Sequence, residues 1–431
     1  MSGATSSSVV GEVLVVGADL AGRGPGDLLI RDGRFADPSD AGPDVRRVDA
    51  DGLVALPGLV DLHTHLREPG REDAETVASG TAAAARGGFT AVLAMANTTP
   101  VTDTAEAAEH LLGVGRAAGF AQVVPVGAVS KGLAGEELAE LGLMARSAAR
   151  TRVFSDDGHC VADARLMRRA LEYVRAFDGV VAQHAQDPRL AGPDACCHEG
   201  EVSGRLGLPG WPAVAEAGIV ARDVQLAELT RSRLHVCHVS TAETVDVLRW
   251  AKGRGIQVTA EVAPHHLLLT VDELLGYDPV YKVNPPLRSA EHVRELREAV
   301  ADGTIDAVAT DHAPHARHDK EHAFVDAAFG MLGLETSLGV VIETLVRPGL
   351  LPWRGVAKPM SVMPAHIARL PGQGRPLAVG EPANLVLVDP DRRTTVDRDA
   401  SVSLSRNNPW HGRDLPDPVV ATWWAGRRTF G

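Results

Sequence analysis

The sequence predicts an α/β protein, a (β/α)8 TIM-like barrel carrying a small β-sandwich domain formed by its N- and C-terminal segments. Three observations predict it. Between about residues 58 and 368, eight short β-like runs alternate with longer Ala/Leu/Glu/Arg-rich stretches, and strands alternating with helices build parallel βα units that close into a barrel. Nearly every run ends in a polar residue, where such barrels carry their chemistry. Both flanks are rich in Val, Gly and Asp, with turn pairs such as Asp32-Gly33 and Asp51-Gly52, a pattern of short strands. The expected boundaries are 1–57 and 371–431 for the two parts of the small domain and 58–370 for the barrel.

The first run, Leu59–Leu66, follows Pro57-Gly58 and holds His63 and His65. Side chains alternate along a strand, so His63, His65 and Arg67 are expected on one face. Two imidazoles there can share a metal ion, with a cation alongside to receive an anion. Thr90–Asn97 ends at Asn97, and Ala121–Val129 leads to Lys131. Thr151–Asp157 ends in Asp156-Asp157 before Gly158. That pair is an ordinary turn signal by itself, but beside metals one carboxylate can bridge two ions. Val180–Ala185 contains His184, and Arg233–Val239 contains His235 and His238. His235 is expected on the face opposite His238, as a core residue. Gln257–His266 ends in His265 and His266, and Asp306–His315 holds Asp311 and His315. A single histidine among β-branched residues is more often satisfied core than ligand. Four at strand ends of one barrel favour a shared metal centre, because neutral imidazole is the commonest zinc ligand. Asp311 alone reads as a cap, and near a metal as a ligand and proton acceptor. Residues 312–330 lack clear periodicity and are expected to form a mobile loop over the site.

Composition narrows the class. A chain of 431 residues, 45% hydrophobic and 23% charged, is ordinary for a globular protein. A net charge of −13 argues against nucleic acid or an anionic membrane as partner. Four cysteines without a Cys-x-x-Cys fit a reducing cytoplasm. The first eight residues carry no secretory pattern, and no apolar run is long enough to span a bilayer.

The run Pro57-Gly58-Leu59-Val60-Asp61-Leu62-His63-Thr64-His65 resembles the amidohydrolase superfamily of metal-dependent barrels. Four further segments resemble the type I dihydroorotases: Arg67-Glu68-Pro69-Gly70, Phe154-Ser155-Asp156-Asp157-Gly158, Asn284-Pro285-Pro286-Leu287-Arg288 and Ala309-Thr310-Asp311-His312-Ala313-Pro314-His315. So does Ala260-Glu261-Val262-Ala263-Pro264-His265-His266, and the resemblance covers essentially the whole chain. It implies two Zn2+ ions per subunit, one held by His63, His65 and Asp311, the other by His184 and His238, with Asp157 bridging. It implies that Arg67, Asn97 and His315 bind the substrate carboxylate, with His65, Asn284 and the backbone at Phe329-Gly330 also touching substrate. The implied reaction is the reversible cyclisation of N-carbamoyl-L-aspartate to L-dihydroorotate in pyrimidine biosynthesis, by metal-activated hydroxide with Asp311 as general acid/base. A cytoplasmic homodimer is expected, in association with aspartate transcarbamoylase. The family usually has Pro where Ala96 and Ala328 stand. The rival readings are a hydantoinase or allantoinase, which carry a carbamylated lysine where this chain has Asp157, and a non-catalytic scaffold for aspartate transcarbamoylase.

Overall fold

The computed structural model describes residues 11–431; the N-terminal stretch read above for a secretory pattern lies outside the described residues. Strands Val13–Leu20, Pro25–Arg31, Arg34–Ala36, Arg46–Asp49 and Val54–Pro57 join Leu385–Val388, Val419–Trp424 and Arg427–Phe430 in one mixed eight-stranded sheet. The two ends of the chain meet where Val54–Pro57 runs antiparallel to Leu385–Val388. Alternate side chains point to opposite faces, and the two faces have different partners. Leu385 and Leu387 pack with Val15, Ile30 and Trp423 in the sheet's own apolar cluster. Val386 and Val388 belong to the large cluster shared with the barrel.

Eight further strands follow the expected runs: Leu59–Thr64, Phe89–Ala94, Gln122–Pro125, Val153–Phe154, Val180–Gln183, Arg233–Val236, Val258–Val262 and Ala307–Val308. Each starts within two residues of its run and stops short of the run's end. Strands one to three pair in parallel as one sheet, and strands four to eight as another. Isolated parallel bridges, Gly127 with Phe154 and Thr64 with His312, span the two gaps.

A buried aspartate fastens each gap. Asp61 Oδ1 accepts from Thr310 N at 2.8 Å, and its Oδ2 accepts from the hydroxyls of Thr64 and Thr310, each at 2.5 Å. Asp156 Oδ1 accepts from Val129 N and Ser130 N at 2.8 and 2.9 Å. Asp156, first of the paired carboxylates, therefore clamps strand four to strand three.

Helices on the outer side start where the sequence supplies a cap. Thr76, Thr104, Asp163 and Thr241 each accept a hydrogen bond from the backbone three residues on, which is worth about 1 kcal/mol per helix. No helix among the described residues is long and apolar enough to cross a membrane.

Candidate active site

The expected ligands converge at the C-terminal ends of the barrel strands. His63, His65, Asp157, His184, His238 and Asp311 are all buried, none more than 5% exposed. Asp157 lies at the centre, and its two oxygens face different histidine pairs. Oδ2 is 3.2 Å from His63 Nε2 and 3.4 Å from His65 Nε2. Oδ1 is 3.2 Å from His184 Nδ1 and 3.1 Å from His238 Nε2. Asp311 Oδ1 stands 3.4 Å from His65 Nε2 and 3.7 Å from His63 Nε2.

The outer nitrogens of these rings are held by groups that only accept, and this decides which nitrogen faces inward. His63 Nδ1 donates to Glu261 Oε1 at 2.8 Å. His65 Nδ1 donates to Asn97 Oδ1 at 2.9 Å, and His184 Nε2 donates to Gln186 Oε1 at 3.0 Å. The remaining lone pairs of His63 and His65 point at carboxylate oxygens, and His184 Nδ1 lies 3.0 Å from His238 Nε2 and 3.2 Å from Asp157 Oδ1. His63 Nε2 is buried and has no hydrogen-bond partner. Lone pairs facing carboxylates repel unless positive charge lies between them, so the donor set fits a divalent cation. The same pull acts on the His63 imidazole: burial would drive its pKa down, but Asp157 outweighs burial and holds it well above its ordinary value, so positive charge, as a proton or a cation, is favoured at Nε2. Burial likewise pushes Asp157 and Asp311 up, yet the surrounding histidines hold both below the ordinary carboxylate range.

Glu261 and Gln186 were not among the site residues read from the sequence. Glu261 Oε2 accepts from His235 Nε2 at 3.0 Å, so His235 is a satisfied core residue, as expected. Its face differs from the expectation: through Glu261 it lies directly behind His63. Burial would raise Glu261, but His235 and His63 hold it down to about 2. Cys237 also lies by His63 and Glu261, and burial pushes its thiol up to about 12.

Three site residues leave the strand pattern. Arg67, His238 and Asp311 have left-handed φ values of 63°, 30° and 46°, a conformation that non-glycine residues rarely take. Strand alternation therefore does not carry Arg67 inward; the ladder ends at Thr64, and a backbone reversal turns the side chain. His265 and His266 likewise sit in the short helix Pro264–Leu268 rather than at the end of a strand.

The wall beside the cluster is polar. Arg67 Nε donates to Pro314 O at 2.9 Å, and its Nη2 approaches His315 Nε2 to 3.2 Å. Burial pushes Arg67 down to about 10, which leaves it charged at neutral pH. Burial and Arg67 push His315 down to about 2, so its ring is neutral. His315 Nε2 also lies 2.7 Å from the Phe329 carbonyl, which only accepts, so Nε2 carries the proton. Two donors, Arg67 Nη2 and His315 Nε2, thus face each other at 3.2 Å, an arrangement that an incoming anion relieves. Asn284 donates from Nδ2 to Gln186 Oε1 at 3.2 Å, and its Oδ1 is buried without a partner.

The 312–330 segment contains the helical turn Arg317–Lys320. Lys320 Nζ donates to the carbonyls of Ala328, Gly330 and Lys282 at 2.8, 3.2 and 3.3 Å. Ala328, where the family usually has proline, donates its N–H to Asp319 O at 2.9 Å, a bond proline cannot make.

Known proteins resemble this chain over nearly its whole length. A family described as Dihydro-orotase-like matches residues 52–244. A dihydroorotase of Streptomyces coelicolor is 58% identical over 424 residues, covering 97% of this chain and 98% of the relative. One of Mycobacterium tuberculosis is 55% identical over 421 residues, covering 97% and 98%. Among solved structures, an L-hydantoinase (dihydropyrimidinase) of Arthrobacter aurescens aligns with a TM-score of 0.85 at 26% identity, over 96% of this chain and 95% of that one. A dihydropyrimidinase of Brevibacillus agri aligns with a TM-score of 0.83 at 21% identity, over 97% and 94%, and shares the fold.

Proposed function

The chain belongs to the dihydroorotase family, and on that premise we propose that it interconverts N-carbamoyl-L-aspartate and L-dihydroorotate as a zinc-dependent cyclic amidohydrolase. The observation that carries this reading is the division of Asp157 between two histidine pairs, beside a half-buried arginine, Arg67, on the adjoining wall. His63, His65 and Asp311 would hold one Zn2+, His184 and His238 a second, and Asp157 both. Zinc bound there supplies a lowered pKa for water and polarisation of an amide carbonyl.

The chain's own groups supply the rest. Arg67 presents a planar donor fork matched to a carboxylate. With His315 and Asn97 it fixes the exocyclic carboxylate and so orients the reacting ring amide. Asn284 and the backbone at Phe329-Gly330 meet the ring, and His65 borders it. In the hydrolytic direction, Asp311 takes a proton from the attacking water as the new C–O bond forms. It returns that proton to the ring nitrogen as the C–N bond breaks; cyclisation runs through the same groups in reverse. Asp311 suits this task by position: it is buried beside the cluster, with Oδ1 3.4 Å from His65 Nε2 and 3.7 Å from His63 Nε2.

The proposal extends to a place in pyrimidine biosynthesis, a cytoplasmic homodimer, and association with aspartate transcarbamoylase. It also takes segments 1–57 and 371–431 as one small domain around a barrel of residues 58–370, residues 1–10 of that span lying outside the described residues. The test is metal content per subunit together with turnover of dihydroorotate, hydantoin and allantoin. Two zinc ions and turnover of dihydroorotate alone are expected. Preferential turnover of hydantoin or allantoin would overturn the substrate assignment.

A further inference from the structure

The C-terminal segment does not remain with the small sheet. Residues 401–410 cross onto the active-site face of the barrel. There Ser405 Oγ donates to Ala74 O at 2.7 Å and Leu404 N to Glu75 Oε1 at 3.2 Å. Asn407, only 5% exposed, lies within this strap. Its Oδ1 accepts from His315 N at 3.2 Å. Its Nδ2 donates to Ala313 O at 2.8 Å and to Gly330 O at 3.1 Å. Its own carbonyl accepts from Leu332 N at 3.1 Å.

We infer that Asn407 is a positioning residue for substrate binding: it sets the backbone of His315 and Gly330 without itself touching substrate. The inference rests on the reading of those two residues as substrate contacts. The chemistry of the side chain favours it. A primary amide offers an acceptor and two donors in one rigid plane, and here all three are used on two separate stretches of backbone. An aspartate would set carboxylate oxygens against the carbonyls of Ala313 and Gly330. A serine would lose the span.

The geometry of the wall explains why that tie matters. The two stretches pair directly at one point, where Ala313 N donates to Met331 O at 2.8 Å. Beyond it, at His315 and Gly330, their backbones are joined through the Asn407 side chain. Gly330 has a φ of 144°, and a Cβ there would lie 2.8 Å from both His315 Nε2 and Ala313 Cβ. The His315 ring therefore rests against the Gly330 backbone, and a shift of either displaces the other. From its far side Gly330 is fixed, since its N donates to Lys282 O at 2.9 Å. Releasing Asn407 frees the His315 side, which is the carboxylate-binding side.

The test compares Asn407→Ala, Asn407→Asp and Ser405→Ala with the wild-type chain, alone and combined with His315→Ala. The readouts are KM and kcat for dihydroorotate, zinc per subunit and Tm. Asn407→Ala is expected to raise KM about tenfold, the scale of a lost buried hydrogen bond, with zinc content unchanged. Asn407→Asp keeps the size and the acceptor, loses both donors, and is expected to raise KM similarly. In the His315→Ala background, Asn407→Ala should add less than about twofold, because its effect acts through His315. Ser405→Ala removes a neighbouring tie between strap and barrel and should stay within about twofold of wild type. An unchanged KM in both Asn407 variants, full additivity with His315→Ala, or an equal rise in Ser405→Ala would each overturn the inference. Failure of the wild-type chain to turn over dihydroorotate would instead overturn the functional reading, and this inference with it.

Discussion

The histidine cluster and the wall beside it are built by different means. In the cluster, each imidazole or carboxylate hangs from the end of a barrel strand, or from the first residues beyond it, and the parallel ladder of the whole barrel fixes where that end lies. In the wall, Arg67, His315 and Gly330 belong to irregular backbone. A few hydrogen bonds hold them, several from far along the chain: Arg67 to Pro314 O, and Asn407 to Ala313 and Gly330. A strand-end group is placed by many cooperating bonds and resists local change. A wall group is placed by two or three, so a single substitution can move it. The cluster therefore suits chemistry that tolerates no displacement, and the wall suits recognition of one substrate among similar ring amides.

The comparison predicts that losses in the cluster appear as metal and turnover, and losses in the wall as KM. The largest effect is expected for Asp157→Ala, which removes a ligand from both histidine pairs at once. Turnover should fall by more than about 10³-fold, with loss of at least one zinc per subunit by metal analysis. Two retained metals with near-normal turnover would break the division at its centre.

Arg67→Lys keeps the charge but loses the fork. Steady-state kinetics should show kcat/KM lower by about 100-fold with zinc content intact. Loss of metal in this variant would mean that wall and cluster are not separable. Glu261→Gln lies behind the cluster and tests its support. Zinc affinity should weaken by about 10- to 100-fold in a competition titration with a chelator. KM at saturating zinc should stay near wild type, and a change confined to KM would place Glu261 in the wall's class.

The smallest effect is expected for Lys131→Ala. Lys131 is exposed and pairs with Glu137 at 3.0 Å, away from the cluster. Turnover and zinc content should remain within about twofold of wild type, and reconstitution of the metal-free chain should not respond to added bicarbonate. A site emptied by this substitution would restore the carbamylated-lysine alternative.

Much of the cluster was legible because its signals are local. Strand runs, their polar ends and the His-x-His pair are short patterns that can be read without any long-range contact. The eight runs and the four cluster histidines needed no knowledge of which strand neighbours which.

What the tertiary structure decided is of another kind. Asp156 and Asp157 are adjacent in sequence and look alike there. Only the placement of strand three beside strand four turns Asp156 onto the Val129 and Ser130 amides and leaves Asp157 for the histidines. The left-handed backbone at Arg67, His238 and Asp311 has no glycine to announce it, because the surrounding packing, rather than local propensity, holds those residues there. Glu261 becomes the partner of His63 across 198 positions, and Asn407 that of His315 across 92. Periodicity reports only which face of its own element a residue occupies. Contacts at such separations follow from closure of the barrel and from the return of the C-terminal strap, which exist only once the chain has folded.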